Sequence, residues 1–162
     1  MSQLTMTQVR TLIDGALAMA EGRRLNSSVV VVDAGGHVRG ALRPELGRFI
    51  NIDSAEKKAW TAAAFQRPTD MVRAITLPNL TDNAYGLQHT DPRICIVAGG
   101  VPIIDDAGTV LGAIGVAGGS PQDDIDCCMA AFSELGFQEE FINPHAAVLA
   151  AQAAQAAAGD IK

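Results

Sequence analysis

The sequence predicts an α+β fold: one layered domain whose largely antiparallel sheet of about five strands is flanked by helices. Three observations carry that expectation. The periodic segments run helix, hairpin, helix pair, long loop, three strands, helix, without the regular strand–helix alternation of a dinucleotide-binding fold. Turn signals sit between β-branched runs at Asp33-Ala34-Gly35-Gly36 and at Asp105-Asp106-Ala107-Gly108. The chain has 162 residues, 48% hydrophobic and 19% charged, which suits a single core.

Residues 5–23 read as a helix, capped by Thr5 or Thr7, with Val9, Leu12, Ile13, Ala16, Leu17 and Ala20 on one face and Gly22 as its stop. Val29-Val30-Val31-Val32 is too short for a helix and too apolar for an edge strand. His37 to Leu42 returns as its partner. A second helix starts at Asn51 or Asp53, shows a small-residue face (Ala55, Ala59, Ala62, Ala63) and ends at Pro68. Thr69 caps a short third helix with Met71, Val72 and Ile75 inward. Residues 77–93 form a long polar loop, a segment type that often carries function. Strands follow at Arg93–Val97, Val101–Ile104 and Thr109–Val116. Pro121 opens a last main helix to about Leu135, with Asp123 and Asp124 suited to its dipole. The domain spans 1–143, and 144–162 is an alanine-rich tail, helical or docked on a neighbouring subunit.

Composition excludes several classes. A net charge of −6 and 4% aromatic residues leave no nucleic-acid footprint, no stacking surface and no basic patch for an anionic membrane. No apolar stretch reaches membrane-span length and Met1-Ser2-Gln3 lacks a basic start, so a cytoplasmic location is expected. Cys95, Cys127 and Cys128 read as reduced, inert core thiols, and no Cys-x-x-Cys or His-x-x-x-His metal spacing occurs. Serine-nucleophile and Walker motifs are likewise missing.

The densest signal is a set of paired glycines, Gly99-Gly100-Val101-Pro102 and Gly112-Ala113-Ile114-Gly115-Val116-Ala117-Gly118-Gly119. Glycine weakens a strand, so such a set marks either a ligand floor or a tight helix–sheet contact. With Val29 to His37, Ala55-Glu56-Lys57-Lys58-Ala59-Trp60-Thr61-Ala62-Ala63 and Gln122-Asp123-Asp124 before Cys127-Cys128-Met129-Ala130, these blocks resemble the GlcG/HbpS-like haem-binding family over roughly residues 5–136. That family also includes the C-terminal domain of PduO-type proteins. The resemblance implies homo-oligomers (dimers or larger rings), a pocket near the glycine-rich strand ends and second helix, and haem as the ligand. It further implies a catabolic-operon setting. A first-helix histidine ligates haem in some members, and residues 5–23 contain none. His37, His89 and His145 are the histidines, and His89 and Tyr85 in the polar loop are the axial candidates if haem binds.

The candidate ligand residues are Arg43, Lys58, Tyr85, His89, Gly99, Gly100, Gly118, Gly119 and Asp123. Lys58 is either a point charge for a carboxylate or a solvated helix lysine. Arg43, fixed by Pro44, offers a bidentate fork, while Arg39 and Arg48 read as surface charges. The amides after Gly118 and Gly119 form an anion cradle for which Asp123 competes. Three functions stay open. The first is a small-ligand-binding protein for an anionic or planar molecule such as haem. The second is a cofactor-independent isomerase or lyase of small-carboxylic-acid or aromatic catabolism, with Lys58 or His89 transferring the proton. The third is a partner protein that docks through its tail.

Overall fold

Four consecutive valines set the centre of the sheet. The computed structural model describes residues 3–76 and 90–135. In it Val29 to Val32 lie in β1 (Ser28–Asp33), each at most 1% exposed. The sheet order is β2-β1-β4-β3, with β2 (Val38–Leu42), β3 (Gly100–Ile104) and β4 (Val110–Ala117), all pairs antiparallel. A central strand covered on both faces has no polar side to present, which is why the valine run does not alternate. Val29 and Val31 face a core shared with α1 (Met6–Gly22) and the last helix, α4 (Pro121–Ser133). Val30 and Val32 face α2 (Phe49–Phe65), whose Ala55, Ala59, Ala62 and Ala63 complete a second, shallower core.

Both edges are blunted. Arg39 is the extra residue of a bulge in β2, since Gly40 and Val38 pair with Val31 and Val32. Pro102 sits within β3, where it has no N–H to offer outward. Bulges and edge prolines discourage strand addition.

Thr5 closes the start of α1 in a capping box with Gln8. The helix ends in a Schellman turn: Leu25 N–H donates to Ala20 O and Arg24 N–H to Glu21 O. The left-handed residue of that turn is Arg24 (φ 57°), not Gly22. α2 begins earlier than Asn51, with Arg48 in the cap position and no side-chain cap. It stops at Phe65 because Gln66 turns left-handed (φ 53°) two residues before Pro68. Ser120 and Asp123 form a capping box for α4, with Pro121 just inside.

The expected strand at Arg93–Val97 is not one; among the described residues the sheet has four strands, close to the five or so expected. Ile94 and Ile96 are buried with Val72, Trp60 and Phe65, so the apolar alternation is real. The backbone polar groups, however, are satisfied by two buried threonines rather than a neighbouring strand. Thr61 Oγ1 accepts from Cys95 N–H (2.8 Å). Thr69 Oγ1 donates to Val97 O (2.8 Å) and accepts from Gly100 N–H (3.1 Å). Thr69 is therefore spent on this segment instead of capping α3 (Thr69–Thr76). Cys95, expected in a buried strand, is half-buried here. No described helix is long and apolar enough to cross a membrane.

The glycines of β3 and β4 are explained by α2. A Cβ at Gly115 would meet Ala55 O, and one at Gly100 would meet Lys58 O. Helix backbone thus rests directly on sheet backbone. We expect Gly115→Ala to destabilise the fold by about 1–3 kcal/mol through overpacking. Gly22→Ala, where an added Cβ meets nothing within 4 Å, is expected to be neutral or to stabilise by about 0.5 kcal/mol. Urea unfolding of the two variants checks both.

Candidate functional site

Lys58 lies on the buried stripe of α2 with Ala55, Ala59 and Ala62. Its side chain therefore runs inward, to the end of the sheet. The residue is 3% exposed, and its ammonium donates to Asp124 Oδ2 (2.7 Å) and Val116 O (2.9 Å). Asp124 lies on the matching stripe of α4 with Cys127, Cys128 and Ala131, and also accepts from Gly119 N–H (3.0 Å). Gly99 closes the corner with φ 110°: a Cβ there would sit 2.6 Å from Asp124 Cβ and 3.0 Å from Lys58 Nζ. Cys128 S–H donates to Gly99 O.

This corner corrects two expectations. Lys58 is neither a solvated lysine nor open to an external anion; its charge is committed within the chain. The anion cradle at the α4 start is filled from inside, by the Asp124 carboxylate on Gly119. Asp123 instead takes Ser120 N–H and Oγ–H and the Arg23 guanidinium (2.8 Å). The glycine floor carries helix backbone and Ser27: Gly118 (φ 151°) abuts Ser27, and Gly119 abuts Asp123. Burial pushes the Asp124 carboxyl above the ordinary range, against the pull of Lys58 and Gly119. Burial also raises the Cys127 thiol to about 11, so it is inert at neutral pH.

Two clefts open elsewhere among the described residues. A cleft of about 500 Å³ runs between the end of α1 and the end of β2. Leu17, Leu25 and Leu42 give it apolar walls; Glu21, Arg24, Asn26, Arg43 and Glu45 give it polar ones. Arg43 is held there by one bond, Nη1–H to Gly47 O (2.6 Å), which leaves the rest of its fork available. Arg24 has no ion pair with another described residue and occupies the left-handed position that usually falls to glycine.

A second cleft, about 260 Å³, is lined by Ile50, Asp53, Glu56, Lys57, Trp60 and Arg93. The Arg93 guanidinium stacks over Trp60 at 4.1 Å and forks onto Asp91 (3.0 and 2.6 Å). His37 is exposed at the β1–β2 turn, 3.3 Å from Asp33. Tyr85, His89 and His145 lie outside the described residues, as does the 144–162 tail. The structure thus brings Lys58 together with Gly99, Gly100 and Gly119, and separates that group from Arg43. The sequence pattern does not point to Arg24, whose place at the cleft is set by a backbone angle, or to the pairing of Asp124 with Lys58.

The comparisons agree with this architecture. A family model described as haem degrading protein HbpS-like matches residues 4–133. Corrinoid adenosyltransferase PduO of Citrobacter freundii is 27% identical over 133 residues, which is 82% of this chain; the chain spans 39% of that relative's length. A crystal structure of a PduOC:heme complex matches with TM-score 0.75 and 27% identity, over 82% of this chain and 95% of that one. A double mutant of Streptomyces reticuli HbpS matches with TM-score 0.70 and 30% identity, over 85% and 90%.

Two outcomes are expected from the site's geometry. Lys58→Met or Asp124→Leu alone leaves a buried charge unpaired and is expected to cost about 3–5 kcal/mol, while the double variant recovers most of that loss; denaturant unfolding of the three variants measures it. Arg93 holds the Asp91 carboxyl down at about 2, through its side-chain and backbone hydrogen bonds. Because the folded value is depressed, this contribution to stability is present above the unfolded value near 3.8 and is lost as pH falls toward 2. An NMR titration is expected to find the Asp91 midpoint near 2 and to see it return toward 3.8 in Arg93→Gln.

Proposed function

The chain belongs to the HbpS-like family, and from that premise we propose that it binds a planar, carboxylate-bearing small molecule, such as haem, in the cleft between α1 and β2. The observation that carries this reading is the cleft's lining. Three leucines offer an apolar slot, and Arg24 and Arg43 stand at it as carboxylate partners. Its volume, about 500 Å³, falls within the range usual for small-molecule and cofactor sites, about 300–1,000 Å³. The likeness to a PduOC:heme complex supports haem as the molecule to try first.

The lining fits a porphyrin's ring and its propionates. It supplies no ligand for the iron, since none of its residues is His, Cys, Met or Tyr. The proposal therefore gives the cleft ring and carboxylate recognition alone; Tyr85 and His89, the axial candidates of the sequence, are tested separately. When bound, haem would supply its own redox and ligand chemistry; the chain's part is to hold the ring edge and neutralise the propionates. A proton-transfer enzyme working through Lys58 finds less support, because that ammonium is tied to Asp124 and Val116 away from solvent.

Titration with haem, followed at the Soret band, and with iron-free protoporphyrin, followed by fluorescence, separates the two tasks. Both are expected to saturate. Arg24→Ala and Arg43→Ala are expected to weaken both by roughly tenfold each, about 1.4 kcal/mol. Changing the axial residue, Tyr85→Ala or His89→Ala, is expected to abolish the Soret shift and spare protoporphyrin. An unsaturable rise, or arginine variants that bind like the parent, overturns the reading. Arg24→Gly adds a check: relief of the left-handed backbone is expected to stabilise the fold by about 1 kcal/mol while weakening the ligand.

A further inference from the structure

The second cleft, about 260 Å³, takes no part in the proposed porphyrin site. Its floor is held from several sides. Trp60 packs with Val72, Ile94 and Ile96. The indole edge rests on Gly36, where a Cβ would lie 2.6 Å from Cδ1. Arg93 stacks over the ring and is fixed at backbone and side chain. Thr61 Oγ–H donates to Arg93 O (3.4 Å), and the Nε–Nη2 edge of the guanidinium forks onto Asp91. That fork uses two of the five N–H groups, so the Nη1–Nη2 edge keeps donors for a second carboxylate.

The rest of the lining is one ridge of α2. Ile50, Asp53, Glu56, Lys57 and Trp60 follow at helical spacing, on the side away from the stripe of Ala55, Ala59 and Ala62. Asp53 and Lys57 stand four apart in the order that favours pairing. Yet neither of them, nor Glu56, makes an ion pair with another described residue. The charges at the cleft are balanced in sum and divided by sign: Asp53 and Glu56 against Lys57 and Arg93. A plain anion meets two carboxylates there, and a plain cation meets two basic groups, so part of the lining repels each. A molecule that carries both signs satisfies both. Ile50 and the partly exposed Trp60 add apolar surface beside the charges. The volume lies below the about 300–1,000 Å³ usual for drug-sized ligands, so the molecule is small.

We propose that this cleft binds a free amino acid with an apolar side chain. The carboxylate takes Lys57 and the open edge of Arg93, and the ammonium takes Asp53 and Glu56. The side chain lies against Ile50 and Trp60. Asp91 and Thr61 act at one remove, by holding Arg93 in place. The cleft shares no lining residue with the one between α1 and β2, so the proposal does not rest on the haem reading.

Trp60 is the chain's one tryptophan, and its emission reports on the cleft directly. The full chain is titrated with L-leucine, with L-leucinamide, which lacks the carboxylate, and with N-acetyl-L-leucine, which lacks the ammonium. Leucine is expected to give a saturable change in the millimolar range. Each derivative is expected to bind roughly tenfold more weakly, for want of one charge-assisted contact. Lys57→Gln is expected to weaken leucine by a similar factor without weakening the amide. Glu56→Gln is expected to weaken leucine without weakening the N-acetyl derivative. Both residues are exposed, and unchanged far-UV spectra are expected. Emission that stays constant, or changes only in proportion to added leucine, overturns the proposal. So does a derivative that binds as tightly as leucine, or a charge variant that weakens all three ligands alike or none. Lys57 does not line the α1–β2 cleft, so porphyrin titration of Lys57→Gln reports on the haem reading separately.

Discussion

The contact on which the rest of the structure depends is the approach of the α2 backbone to the sheet. At Gly100 and Gly115 there is no room for a Cβ, because Lys58 O and Ala55 O occupy its place. The helix can come this close only because its facing residues are small (Ala55, Ala59, Ala62) and because the strands lack side chains where the axis crosses. Alanine and glycine contribute little apolar area, so this layer gains less from transfer out of water than the leucine-, valine- and isoleucine-rich face beneath α1 and α4. Dispersion between closely packed backbones compensates in part, and that depends on the spacing being kept.

The same spacing decides the fate of Lys58. Its neighbours in the helix stripe face the sheet, so its side chain must also run along the sheet and emerge at the strand ends. There it finds Asp124, the only acid on the buried stripe of α4. Two charges withdrawn from water at 2.7 Å are tolerable because each has a further partner, Val116 O for the ammonium and Gly119 N–H for the carboxylate. The pair ties α2 to the start of α4 across the end of β4. It also occupies the helix N-terminus that would otherwise draw an external anion. Arg24 and Arg43, by contrast, stand at an open cleft.

Legibility in the sequence followed how local each determinant is. The valine run, the two Asp-rich turns, the Thr5 cap and Pro121 are decided within a few residues, and each stands where the pattern places it. The segment around Ile94 and Ile96 was misread because alternation reports burial, not the hydrogen-bond partner. Only the fold brings Thr61 and Thr69 to that backbone. The Lys58–Asp124 pair was half legible: each residue falls on a helical stripe of small or apolar side chains, and opposite charges on two inward stripes have to meet something. The glycines announced a close approach, and the family resemblance drew attention to a ligand when the approaching group was helix backbone.

Several departures from local preference lie near one another on the surface, apart from the left-handed Gln66 at the far end of α2. Arg24 holds a left-handed angle that glycine would adopt with less strain, about 1–2 kcal/mol less by the steric argument. Arg48 occupies a helix cap without capping it. Leu46, Phe49 and Ile50 face solvent although polar residues would serve the loop and first turn as well. Selection for stability alone would remove each of these. Their common property is that they border the α1–β2 cleft or the run that leads from it along α2. Each departure in this strip faces solvent, so core packing does not offset its local cost, and the strip is where substitution by a locally preferred residue gains most stability.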